Sequence, residues 1–129
     1  MNIKLDKILA EISAGELIDK LTILEIKLSK CVDYLKKKNI QNEYNALKNH
    51  KKETEPLRSL FYELKTINTL LWDCEDNIRL KSKLRQYDED YISISEHIHQ
   101  YNDQRYAIKR KINQQYNSYI SEEKIYNLI

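Results

Sequence analysis

The 129-residue chain carries 22 Lys and Arg against 20 Asp and Glu, and a net charge of +2 excludes nucleic-acid or membrane binding by bulk attraction. Its 41% of apolar residues is enough to bury one core, so residues 1–129 read as a single helical-bundle domain. One Gly and one Pro leave almost none of the punctuation that a turn-rich sheet fold needs, and long uninterrupted helices are expected instead.

The first twelve residues place Ile3, Leu5, Ile8, Leu9 and Ile12 without a clean period and read as an irregular arm. They lack the apolar core of a signal peptide, and no stretch approaches membrane-spanning length, so a cytoplasmic protein is expected. Ser13 followed by Glu16 matches a capping box and marks the start of a helix. From there Leu17, Leu21, Leu24, Leu28, Cys31 and Leu35 recur at four and three residues, one continuous seam that Ile18, Ile23 and Ile26 widen. Cys31 and Cys74 fall on such seams, outside any C-x-x-C pair, and are expected as small buried thiols in a reducing compartment.

Residues 36–55 are polar apart from Ile40, Tyr44 and Leu47 and read as a turn with a weaker helix. Pro56 suits the first turn of the next helix, whose seam runs Leu57, Leu60, Leu64, Ile67, Leu71, Cys74 and Ile78 and ends near Lys81 to Arg85. Asp88 or Asp90 caps a third long helix carrying Tyr91, Ile94, Ile98, Tyr101, Arg105, Ile108 and Ile112. Ser121 with Glu122 and Glu123 resembles the start of a short terminal helix. The expected architecture is an all-α antiparallel bundle of three long helices, about 35–45 Å in length at 1.5 Å per residue, with shorter helical pieces and the irregular arm.

One member of the third seam is an arginine. A guanidinium on a core seam must find carboxylates, carbonyls or a ligand to offset its desolvation. Asn102, Arg105, Lys109 and Asn113 form a cationic stripe, and Asn68, Trp72, Glu75 and Arg79 form a comparable one on the preceding helix. Glu75 and the adjoining Asp76 are the expected partners of Arg105. The first helix adds Glu16, Asp19, Lys20, Glu25 and Lys27. The leading reading is an internal ionic network that fixes helix register. Its rival is a site for a phosphate- or carboxylate-bearing small molecule, drawing on Lys20, Lys27, Asn68, Trp72, Arg79, Asn102, Arg105, Lys109 and Asn113.

Glu16 with Asp19, and Asp73 with Asp76, sit one turn apart, so carboxylates from two helices, with Glu75 beside them, offer a Mg²⁺ site of the kind used by all-helical nucleotide pyrophosphohydrolases. That family's first acidic helix carries two adjacent acids and a third one turn later, and no such run precedes Glu16. No cofactor is expected outside this alternative. His97 and His99 point to different sides of a helix and His50 lies in a lysine-rich corner, so no zinc set forms. Tyrosines interleaved with Arg105, Lys109, Arg110 and Lys111 suggest stacking on nucleic acid, but seam and edge positions account for them first.

The run Gly15-Glu16-Leu17-Ile18-Asp19-Lys20-Leu21-Thr22-Ile23-Leu24-Glu25-Ile26-Lys27 resembles the opening of a bacterial and viral family of small helical proteins of unknown function. Leu71-Trp72 with Glu75-Asp76 and Ile78-Arg79, then Asn102-Asp103 with Arg105 and Ile108-Lys109, and Glu122-Glu123-Lys124, extend the similarity over most of the chain. The resemblance transfers no reaction; through chains of that family it implies a loose association with glycosyltransferase or helical-repeat domains. The expected function is a helical interaction or assembly module, self-associating or bound to a helical partner, with an interior polar network that binds a small anion. The alternatives are a metal-assisted or metal-free enzyme acting on a phosphorylated or nucleotide-linked sugar and, further down, a nucleic-acid-binding protein.

Overall fold

Ser13 ends the irregular arm: its hydroxyl accepts the Glu16 N–H at 3.1 Å, and α1 runs from Ala14 to Lys30. The computed structural model describes residues 6–50 and 58–126, and among these it holds three further helices, α2 (Tyr34–Lys48), α3 (Arg58–Lys83) and α4 (Glu89–Gln115). The fold is all-α, and its helix packing is that of a bundle. No helix among the described residues is long and apolar enough to cross a membrane.

The first seam does not continue to Leu35 as the spacing suggests. Cys31 turns to an extended backbone, and the Asp33 carboxylate accepts the Lys36 N–H at 3.0 Å to cap a separate α2. Leu35 is therefore 71% exposed, and Cys31 is half-buried rather than a core thiol; Cys74 is half-buried too. The expected helix start at Pro56 lies outside the described residues. Asp88, not Asp90, caps α4 by accepting the Tyr91 N–H at 2.9 Å. Before it, Arg85 takes a left-handed φ of 55° and Gln86 N–H reaches back to the Lys81 carbonyl at 2.8 Å, a closing turn that satisfies the end of α3.

Asn117 ends α4 in the same way, with a φ of 50° and Ser118 N–H donating to the Asn113 carbonyl. Residues 118–126 then run on without helix, so the short terminal helix expected at Ser121 does not form. The Ser121-Glu122-Glu123 acids are used in tertiary ion pairs instead, as described below.

The core lies where three helices meet. Ile18 and Leu21 of α1, Leu60, Phe61, Leu64, Ile67 and Leu71 of α3, and Ile108 and Ile112 of α4 form one buried cluster. Each such side chain contributes about 1.5–3 kcal/mol relative to exposure. At 26 and 27 residues α3 and α4 extend about 40 Å, whereas the 17 residues of α1 extend about 25 Å. Beyond Leu71 the pair α3–α4 continues as a two-helix arm. Cys74, Ile78, Ile94 and Ile98 on its seam are only half-buried, and Leu80, Leu84 and Ile92 are exposed.

Candidate functional site

The only glycine sits where α1 meets α4. A Cβ on Gly15 would stand 2.6 Å from the Lys109 carbonyl oxygen and 3.0 Å from Asn113 Oδ1, so no larger residue permits this approach. The first turn of α1 is met by side chains from the far end of the chain: Gly15 N–H donates to Asn113 Oδ1 at 2.7 Å and Ala14 N–H to Ser118 Oγ at 3.2 Å. With Ser13 on Glu16 N–H, three N–H groups that a helix start leaves open are satisfied. Glu16 does not complete the expected capping box, because its carboxylate turns to Lys109.

One helical turn further, Asp19 is almost fully buried at 1% exposure. Its carboxylate accepts from Arg105 Nε at 2.9 Å and from Arg105 Nη2, a two-point clamp across α1 and α4. Asn68 of α3 donates to the same Asp19 Oδ1 at 2.9 Å and to Thr22 Oγ1 at 2.8 Å, while Thr22 itself donates to the Asp19 carbonyl. The seam arginine therefore does find a carboxylate, and all three core helices join in one network. The partner is Asp19, not Glu75 or Asp76. Glu75 instead takes Arg79 at 3.2 Å in an exposed pair within α3, and Asp76 is exposed.

Lys109 forms the second junction. It is bound by Glu16 at 2.8 Å and by Glu122 of the returning C-terminal segment at 3.2 Å. Beside it Arg110 pairs with Glu123 at 3.2 Å and donates to the Tyr106 hydroxyl, and Lys124 lies over the Tyr106 ring and donates to the Asn102 carbonyl. Glu16, Asn102, Arg105, Tyr106, Lys109, Glu122 and Lys124 line an open polar cleft of about 250 Å³. Arg105 lines the cleft, and its Nη1 has no hydrogen-bond partner among the described residues.

The electrostatics favour permanent cations. The hydrogen bond to Asp19 raises the Arg105 pKa and outweighs the desolvation that opposes it. Burial depresses the Lys109 ammonium, but Glu16, Asp19 and Glu122 more than compensate, so its pKa lies above the ordinary lysine value. Neither group donates or takes up a proton near neutral pH.

The sequence-derived candidates separate into groups. Glu16, Asp19, Asn68, Asn102, Arg105, Lys109 and Asn113 come together at the α1–α4 junction. Lys20 only makes an exposed pair with Glu16 at 3.9 Å. Lys27 and Trp72 line a different cleft, and Arg79 lies on the arm. The carboxylates proposed for Mg²⁺, Glu16 and Asp19 of α1 with Asp73, Glu75 and Asp76 of α3, do not converge, and no group of three or more His, Cys, Asp or Glu fit to hold a metal occurs among the described residues. Sequence reasoning missed Thr22, Ser118, Tyr106, Glu122 and Lys124 as participants. Thr22 was readable, being one turn after Asp19, and Tyr106 lies one residue after Arg105 on α4; Ser118, Glu122 and Lys124 come from a segment whose return path no periodicity encodes.

A family model described as a family of unknown function, DUF6165, matches residues 8–129, and the chain belongs to that family. No curated protein and no solved structure matches it.

Proposed function

Since membership of this family assigns no activity, we propose that the chain is a helical assembly module, whose three-helix base is a rigid platform and whose arm pairs with the arm of a second copy. The observation that carries this reading is the half-covered seam of the arm together with its charge pattern. Residues 77–87 hold Arg79, Lys81, Lys83 and Arg85 and no acid, whereas residues 88–104 hold Asp88, Glu89, Asp90, Glu96 and Asp103 and no Lys or Arg. A two-fold axis between arms sets the basic tip of α3 against the acidic start of α4 twice over, and closes a four-helix cross-section on Ile78, Ile94 and their neighbours. A groove of about 460 Å³ between Leu80, Lys81, Asp90, Ile94 and His97 gives a partner side chain somewhere to insert.

Size-exclusion chromatography with light scattering tests it. The expected result is a dimer that Leu84→Glu with Ile92→Lys converts to a folded monomer; a strict monomer at high concentration contradicts it. The proposed setting is the cytoplasm of a bacterial or viral host, where Cys31 and Cys74 stay reduced.

A second role rests on a separate observation, the open Nη1 of Arg105 beside Lys109 and Lys124. In this reading the polar cleft takes a small phosphate or carboxylate. Glu16 and Glu122, the carboxylates that line it, are each paired with Lys109, which argues against a free general base and for binding without turnover. Thermal unfolding in inorganic phosphate should show a rise in Tm that is smaller in Lys124→Gln. Equal shifts in both proteins, or none in either, contradict the role.

A further inference from the structure

A second cleft opens at the other end of α1, away from the Asp19–Arg105 network. It has a volume of about 530 Å³ and is lined by Lys27, Lys30 and Cys31 at the end of α1, Lys36, Asn39 and Ile40 of α2, and Trp72 of α3. That volume lies within the roughly 300–1,000 Å³ of small-molecule sites. The helix break at Cys31–Asp33 creates it, because α2 departs from α1 there and leaves the indole of Trp72 half-exposed beneath the corner.

The charges around this ring are one-sided. Lys27 and Lys36 have no carboxylate partner among the described residues, and Lys30 approaches only Asp73, at 4.0 Å. Asp33 is turned to the Lys36 backbone N–H as a helix cap, and Glu75, one turn after Trp72, is paired with Arg79. The indole N–H of Trp72 likewise has no acceptor among the described residues. Lys65 and Lys109 of the base are matched, the first with Glu25 and the second with Glu16 and Glu122. An unmatched cluster of ammonium groups around a partly bare indole is poorly explained by stability alone, since it leaves repulsion and apolar surface in place.

We propose that this cleft binds a nucleoside diphosphate, the aromatic base stacking on Trp72 with Ile40 beside it and the phosphates held by Lys27, Lys30 and Lys36. Stacking a base on an aromatic side chain is worth about 1–3 kcal/mol and tolerates any base, while lysines engage phosphate as point charges. Neither half suffices in water, so recognition requires ring and charge in one molecule. The site stands independently of arm pairing and of the polar cleft.

Trp72 is the only tryptophan, so its emission reports this cleft directly. Titrating the full chain with ADP, excited at the red edge of indole absorption, should quench that emission at sub-millimolar concentration. Adenosine and inorganic pyrophosphate, each carrying one half of the recognition, should require at least tenfold more. Lys27→Gln with Lys36→Gln, on partly or fully exposed side chains, should weaken ADP at least fivefold without altering the helical circular-dichroism signal. Alkylation of Cys31, followed by peptide mass mapping, supplies an independent reading: ADP should slow it and leave Cys74 alkylation unchanged. No quenching and no protection at millimolar ADP overturns the proposal. So does pyrophosphate matching ADP, which reduces the cleft to a charge patch, or adenosine matching ADP with the double variant unaffected, which reduces it to an apolar one.

Discussion

α3 and α4 pass through two environments along one pair of seams. In the base α1 covers them, and Leu64 and Ile112 lose all exposure. In the arm the same three-four alternation continues through Ile78, Ile94 and Ile98 with no third helix above it among the described residues, and these side chains stay half-buried. Identical periodicity therefore produces a finished core in one half and an open face in the other. The polar chemistry divides likewise: Asp19, Asn68 and Arg105 join three helices inside the base, whereas the ion pairs of the arm, Arg79 with Glu75 and Lys81 with Asp88, are local ones at its surface.

The sharpest way to break this contrast is to remove the buried carboxylate. Asp19→Ala leaves Arg105 and Asn68 without their acceptor and should cost about 3–5 kcal/mol in urea unfolding. Leu64→Ala, at a fully covered position, should cost about 2–5 kcal/mol, against about 1 kcal/mol for the half-covered Ile94→Ala in a monomeric background. Equal losses at Leu64 and Ile94 would erase the distinction between base and arm. Gly15→Ala tests the close approach of α1 to α4. Its Cβ meets backbone rather than a flexible side chain, so a loss of about 1–3 kcal/mol is expected.

The two regions should also differ in their response to pH. Lys109 has a raised pKa in the folded chain, so its contribution to the base is complete below the unfolded value of about 10.4 and is lost as pH climbs through the folded value. Asp88 has a lowered pKa, set first by the Tyr91 N–H and then by Lys81, so its hold on the arm turn is present above about pH 3.9 and is lost as pH falls through the folded value. Alkali should loosen the α1–α4 junction through Lys109 and acid the arm tip through Asp88, as followed by residue-resolved NMR shifts. Lys109→Met should remove the alkaline effect on the junction. The smallest effect is expected at Arg85, a left-handed residue with a side chain. Arg85→Gly should stabilise the arm turn by up to about 1 kcal/mol.

How much of this was legible depended on range. Apolar spacing found the two long helices α3 and α4 and the start of α1, because each buries a continuous stripe. It carried the first seam too far, to Leu35, since a short cap at Asp33 overrides a pattern that the surrounding spacing still satisfies. The requirement that a seam arginine be neutralised pointed correctly to an internal carboxylate, yet it named Glu75 and Asp76. Periodicity gives the face of each residue on its own helix but not the height at which two helices meet, and only the packing at Gly15 sets that height. The return of residues 118–126 over α4 has no periodic signal at all, and with it Glu122 and Lys124 entered the polar cleft unforeseen.

Hydrogen exchange at two protein concentrations tests the division of the molecule most directly. In dilute solution, amides of residues 60–71 and 105–112 should exchange only through global unfolding, while those of residues 77–98 should exchange through local opening and gain protection as concentration rises. Uniform protection along the full length of α3 and α4, unchanged by concentration, would contradict both the separate stability of the base and the pairing of the arms.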